Sequence, residues 1–156
     1  MIRVTDQPFD AGVTLAEFTR QCGPEVGGVA SFLGLVRDDH HGARIHALTL
    51  DHYPGMAEAK LEEIEQIAIE RWPLAASLII HRVGRMVPGE SIVLVATASA
   101  HRQAAFDACQ FLIDWLKTKA PFWKLEETDA GESWVDARAE DDDAADRWAE
   151  PITRRS

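Results

Sequence analysis

The run GGVASFLGLVR (27–37) is apolar with little interruption, β-branched at intervals and bounded by glycines, which predicts a buried strand. A short N-terminal strand and a helix near Val13 to Arg20 precede it. Gly42 then opens a loop into a second strand, Ile45 to Tyr53, which Pro54 and Gly55 stop. Beyond them Met56, Leu61, Ile64, Ala68 and Trp72 recur at helical spacing up to Pro73, predicting an amphipathic helix.

Two further apolar runs, Ser77 to Val83 and Ser91 to Ser99, flank the turn signal Pro88-Gly89 and predict an antiparallel hairpin. A second long helix is expected from about Arg102 to Lys119, with the apolar stripe Ala105, Phe106, Cys109, Leu112, Ile113 and Leu116. Pro121 ends it. FWKLEE, the turn DAGE and SWVDA then predict a last hairpin, and an acid-rich helical tail occupies about 139–156, with Trp148 as its large anchor. Locally paired strands and two long helices imply an α+β domain with a largely antiparallel sheet. No internal repeat or low-complexity tract interrupts it.

A chain of 156 residues, 46% apolar and 27% charged, fits one ordinary domain spanning 1–156, its core at about 27–138. The start breaks into acidic residues and a proline before any apolar run reaches signal-peptide length, and no run approaches membrane-spanning length, so a cytoplasmic protein is expected. The formal charge of -10 argues against nonspecific binding to nucleic acid or an anionic membrane. Cys22 and Cys109 match no paired metal or redox spacing. Sulfur handled by this chain would therefore come from elsewhere.

The net acidity makes local basic clusters informative. Ser99 is a plausible N-cap, placing His101 and Arg102 in the first turn of the second long helix, where the helix dipole disfavours a cation by roughly 0.3 to 1 kcal/mol. A bound phosphate would explain the pair; so would two solvated residues tolerated at that modest cost. Lys117 and Lys124 bracket the reversal KTKAPFWK. Lys117 is also simply favourable at a helix C-terminus, and Lys124 could be an exposed strand lysine beside Glu126. Were the two to converge with Arg102, mutual repulsion would lower a lysine pKa toward the working range of an acid, base or nucleophile. Arg37 ends the first buried strand and suits a phosphate clamp or a pairing with nearby aspartates. Asp38, Asp39, His40 and His41 could hold a metal, although a solvated loop is the simpler reading. His46, His52 and His81 are expected in core or interface packing, and Cys109 in the core.

Together GGVASFLGLVR, ALTLDHYPGMAEAKL, IIHRVGRMVPGE, SAHRQAAFDACQFLIDWLK and APFWKLE, in that order over about 27–138, resemble the molybdopterin synthase catalytic-subunit family. The resemblance implies an α/β hammerhead-type fold. It also implies a homodimer carrying a small ubiquitin-like sulfur-carrier subunit at each outer end, a heterotetramer in which the small subunit's C-terminal Gly-Gly thiocarboxylate enters a pocket on this chain. The implied activity is sulfur transfer to cyclic pyranopterin monophosphate, forming the molybdopterin dithiolene. The pterin is the substrate, and neither cofactor nor metal is implied.

By position, the family's active-site lysines fall on Lys117 and Lys124, and its substrate-binding residues on Arg37, His101, Arg102 and Glu126. Leu35, Val36 and Leu125 occupy neighbouring motif positions, and Arg138 is a further basic candidate near the tail. Leu35 and Leu125 stand where the family commonly has basic residues, which lowers local positive charge and bears on ligand affinity rather than reaction type. His101 and Arg102 could be contributed across the dimer interface. Two other readings compete: a metal-dependent phosphoesterase using Asp38, Asp39, His40 and His41, and a noncatalytic adaptor that binds a ubiquitin-like partner without turnover.

Overall fold

In the computed structural model of the chain, residues 1–135 and 148 are described. The elements run β1 (Ile2–Thr5), α1 (Ala11–Gln21), β2 (Gly28–Leu35), β3 (Asp39–His40), β4 (Ala43–His52), α2 (Met56–Arg71), β5 (Leu74–Arg82), β6 (Gly84–Met86), β7 (Ser91–Ser99), α3 (Arg102–Thr118), β8 (Phe122–Thr128) and β9 (Gly131–Val135). The fold is α+β and largely antiparallel, as the sequence pattern predicts.

One sheet has the order β1-β5-β7-β2, with only the β1–β5 pair parallel. Its central strands are covered on both faces, which explains why their apolar runs are nearly continuous rather than alternating. Ile79, Val93 and Val95 face the larger core, where α2 and α3 bring Leu61, Ile64, Phe111 and Leu112. Leu78, Ile80, Leu94, Ala96 and Ala98 face the other way, toward Phe18 of α1. The second sheet has the order β3-β4-β8-β9, with β6 pairing the other side of β4. Val36, Leu48, Leu50 and Met86 form its own small core.

Local chemistry sets the boundaries. Asp10 caps α1, its carboxylate accepting from the Val13 N–H at 2.9 Å. Gly55, at φ +84, starts α2 and donates its N–H to the Glu58 carboxylate at 2.7 Å. Trp148, the expected anchor of the tail, packs edge-on against Trp72 and Phe111, and its indole N–H donates to Asp114 at 2.6 Å. The expected tail helix at 139–156 otherwise lies outside the described residues, as does Arg138.

Several expectations are corrected. Ser99 does not cap α3: it stays in β7, paired on both sides with Gly28 and Leu74, and its buried hydroxyl donates to the Pro73 carbonyl at 2.8 Å. His101 takes the N-cap position and makes no side-chain capping bond. Phe106 is 62% exposed and Phe111 fully buried, because the stripe runs through Ala105, Ala108, Cys109, Leu112 and Leu116, about 100° around the helix from Phe106. Ile113 is only half-buried, at the edge of the stripe. Met56 is likewise exposed, and Ala57 takes its place in the core. The Asp38–His41 stretch is no open loop. β3 and β4 form a tight hairpin whose turn residues, His41 and Gly42, have φ of 52° and 80°, the positive values that a primed two-residue turn requires.

Candidate active site

The end of α3 and the start of β8 meet the end of β2 at a cavity of about 260 Å³. Pro121 stops the helix and reverses the chain, so Lys117 in the last turn of α3 and Lys124 on β8 line the same space. Strand alternation places Phe122, Lys124 and Glu126 on one face of β8. β2 ends beside them at Leu35, two residues earlier than the sequence pattern predicts, and Leu35, with Val36 and Arg37 just beyond the strand, lines the same space. Thus six of the residues singled out from sequence, Leu35, Val36, Arg37, Lys117, Lys124 and Glu126, share one cavity.

Leu125, His101 and Arg102 do not join them. Leu125 falls on the opposite face of β8, across from Thr49 and Trp134. His101 and Arg102 are exposed at the far end of α3. Arg102 precedes Lys117 by fifteen positions, about 22 Å of helix axis, so within one chain it does not converge with the lysines. The physical reason is the length of the helix itself.

Glu126 is 9% exposed, and the His40 Nδ1 lies 2.8 Å from both of its carboxylate oxygens. On its far side a shallower depression is lined by His40, His41, Thr128, Ser133 and Trp134. Asp38, Asp39, His40 and His41 do not assemble as a ligand set; among the described residues no three His, Cys, Asp or Glu side chains gather in a metal-holding cluster. His46 is on the surface, its Nε2 against Asp129.

His81, expected only as packing, also lines the lysine cavity. Its Nδ1–H donates to the Arg82 carbonyl at 2.9 Å, and its ring stacks on Phe122 with centroids 4.0 Å apart and planes 11° from parallel. Burial pushes its pKa down to about 4, with smaller downward contributions from Lys124, Lys117 and His52 and an opposing one from the Arg82 carbonyl. The ring is therefore neutral near pH 7. The only sequence signal was a polar residue ending an otherwise apolar strand.

A stability consequence follows from this depressed pKa. Between about pH 6.5 and 4 the unfolded histidine takes up a proton that the folded one refuses, so stability is full above the window and falls as pH drops through it, by up to about 3 kcal/mol. Urea unfolding at pH 7 and pH 4.5 should show the parent losing more stability than His81→Phe. Equal losses would remove His81 as the cause.

Chemically, Arg37, Lys117 and Lys124 make the cavity cationic in a chain of net charge -10, so it suits a phosphate or carboxylate-like anion. No cysteine lines it. Cys109 is buried in the helix–sheet core, where burial pushes its thiol up to about 11, and it is inert as a thiolate near neutral pH.

Residues 4–119 match the family model described as MoaE protein. The chain is 53% identical over 149 residues to a molybdopterin synthase catalytic subunit from Mesorhizobium japonicum, covering 94% of this chain and 92% of the relative. It is 50% identical over 149 residues to the subunit of the same name from Pseudomonas aeruginosa, covering 96% and 99%. A solved structure, the molybdopterin biosynthesis MoaE protein from Burkholderia ambifaria, superposes with a TM-score of 0.81 at 46% identity, covering 96% of this chain and 98% of that one.

Proposed function

Since the chain belongs to the MoaE family of molybdopterin synthase catalytic subunits, we propose that its lysine-lined cavity is where sulfur passes from the C-terminal thiocarboxylate of a small ubiquitin-like subunit to cyclic pyranopterin monophosphate. The observation that carries this reading is the meeting of Lys117, Lys124 and Arg37 in a cavity that no cysteine lines. Cations gather where an anionic tail and a phosphate must both be held, and the sulfur arrives with the partner.

In this mechanism Arg37 holds the substrate phosphate, and the thiocarboxylate sulfur attacks a side-chain carbon of the pterin. A C–S bond forms there as a C–O bond at the same carbon breaks, the oxygen keeping the bonding pair and leaving on the opened cyclic phosphate, and addition of water to the resulting thioester carbonyl then breaks the acyl–S bond. The partner leaves as a carboxylate and the sulfur stays on the pterin. Lys117 and Lys124 steer the tail, move protons and stabilise the oxyanion that develops on the carbonyl. A second small subunit delivers the second sulfur. Glu126, held by His40, borders the bound substrate.

His101 and Arg102 enter the reading as groups from a second protomer. Their exposure and their distance from Lys117 within one chain fit that role, since an exposed helix start can reach a neighbour's cavity. The functional unit is then a homodimer with a small subunit at each end. The pterin is consumed as substrate and no resident cofactor is called for. The proposed location is the cytoplasm; among the described residues no helix is long and apolar enough to cross a membrane.

The test mixes the purified chain with thiocarboxylated small subunit and cyclic pyranopterin monophosphate, and follows molybdopterin by the fluorescence of its oxidised derivative. Product formation is the expected result. Partner binding without product would favour the adaptor reading instead. In the same assay Arg37→Ala should weaken pterin affinity about tenfold to a hundredfold, the value of one charge-assisted phosphate contact. Unchanged affinity by calorimetry would take Arg37 out of the phosphate site.

A further inference from the structure

We propose that His81 is a positioning residue for the lysine pair, its Nε2 lone pair accepting a hydrogen bond in the cavity and so aiming a lysine nitrogen at the reacting carbonyl without bringing in negative charge. This rests on the reading of Lys117 and Lys124 given above.

The geometry leaves the ring one role. Its Nδ1–H is committed to the Arg82 carbonyl at 2.9 Å, so in the neutral ring Nε2 carries the free lone pair. The parallel stack on Phe122, 4.0 Å between centroids, holds the ring plane. Phe122 is two residues from Lys124 on the same face of β8, and Lys117 closes the cavity from α3. Among the described residues the charged or titratable groups around it are Lys124 on β8, Lys117 on α3, His52 at the end of β4, and Arg37 and Glu126 on the same cavity wall.

A neutral acceptor is what such a site needs. A carboxylate in this place would hold an adjacent lysine in its ammonium form and raise its pKa by about one unit or more. An apolar side chain would leave the amine's orientation unset. Among the described residues the one carboxylate lining the cavity, Glu126, is itself engaged by His40 at 2.8 Å. Imidazole at position 81 orients the amine without the ion pair that would hold it protonated.

The test is single-turnover molybdopterin formation by the complete complex across pH, with Lys117→Ala and Lys124→Ala run alongside. His81→Phe, which keeps a stacking ring and loses the acceptor, should lower the plateau rate about tenfold or more at unchanged pterin affinity. His81→Gln, which restores an acceptor, should recover most of it. His81→Glu should move the alkaline rise of the profile up by about one pH unit or more. A His81→Phe variant at the parent rate, or a His81→Gln variant as slow as His81→Phe, overturns the proposal while the inactive lysine variants leave the lysine reading standing. Active lysine variants overturn both. If His81→Phe does not fold, the position of the alkaline rise in His81→Glu decides, and an unmoved rise counts against the proposal.

Discussion

Lys117→Ala and Lys124→Ala should each abolish molybdopterin formation, lowering the single-turnover rate by about a thousandfold or more, while both proteins should keep the parent's unfolding midpoint. The size of the effect follows from the number of tasks the two groups share. Positioned proton transfer alone accounts for about 10² to 10⁴ in rate, and loss of a cation facing a developing oxyanion in a water-poor cavity adds to it. The preserved fold follows from where the side chains sit. Lys117 is an exposed residue of the last helical turn and Lys124 is half-buried on the cavity face of β8, so neither belongs to the apolar core. Truncating them removes charge from the cavity and opens no void in the core. Fluorescence of the oxidised product measures the rate and urea unfolding the stability. If both variants form product at the parent rate, the lysine assignment fails, whatever the partner affinity.

The second large effect is on stability. Phe111→Ala should cost about 3 to 5 kcal/mol, the range for deleting a fully buried aromatic side chain whose surroundings relax only in part. Phe111 is completely inaccessible, and its ring lies 5.3 Å from that of Trp72, 5.8 Å from Trp148 and 6.3 Å from Trp115, with the Arg71 guanidinium 5.1 Å above it. These partners come from α2, from α3 and from the tail, so one truncation loosens three segments together. Because the same helix ends in Lys117, activity at 37 °C should fall with the unfolding midpoint rather than independently of it. A loss below about 1 kcal/mol would mean that the site collapses around the smaller side chain, and that the aromatic cluster does not hold the three segments together.

Much of the architecture was legible in the chain because its local signals agree with one another. Pro54-Gly55, Pro73 and Pro121 mark ends of elements that the structure also ends there, since proline cannot continue a ladder or a helix. The strand at Ser91–Ser99 matches its predicted bounds. The errors lie where periodicity is ambiguous. Phe106 and Met56 looked like core because they are large and near the stripe, yet each helix rotates them out and buries Ala108 and Ala57 instead. Close approach of helix to sheet favours small residues there, which a hydrophobicity pattern underrates. The Asp38–His41 hairpin was missed because His41 adopts a positive φ that sequence rules reserve mainly for glycine and asparagine.

The candidate site divides along the same line. By itself the sequence determined the element types, the α+β class, the family and the reversal at Pro121, all of which depend on short-range chemistry or on an ordered series of motifs. Only the tertiary structure decided which of the singled-out residues meet. It brought Arg37 to Lys117 and Lys124 by packing the end of β2 against α3 and β8, and it kept Arg102 away because a straight helix separates its own ends. It also gave Glu126 a partner in His40, eighty-six residues distant, and turned His81 from a packing residue into part of the cavity wall. Contacts between positions so far apart follow from how sheets and helices pack, and one chain's periodicity carries no record of them.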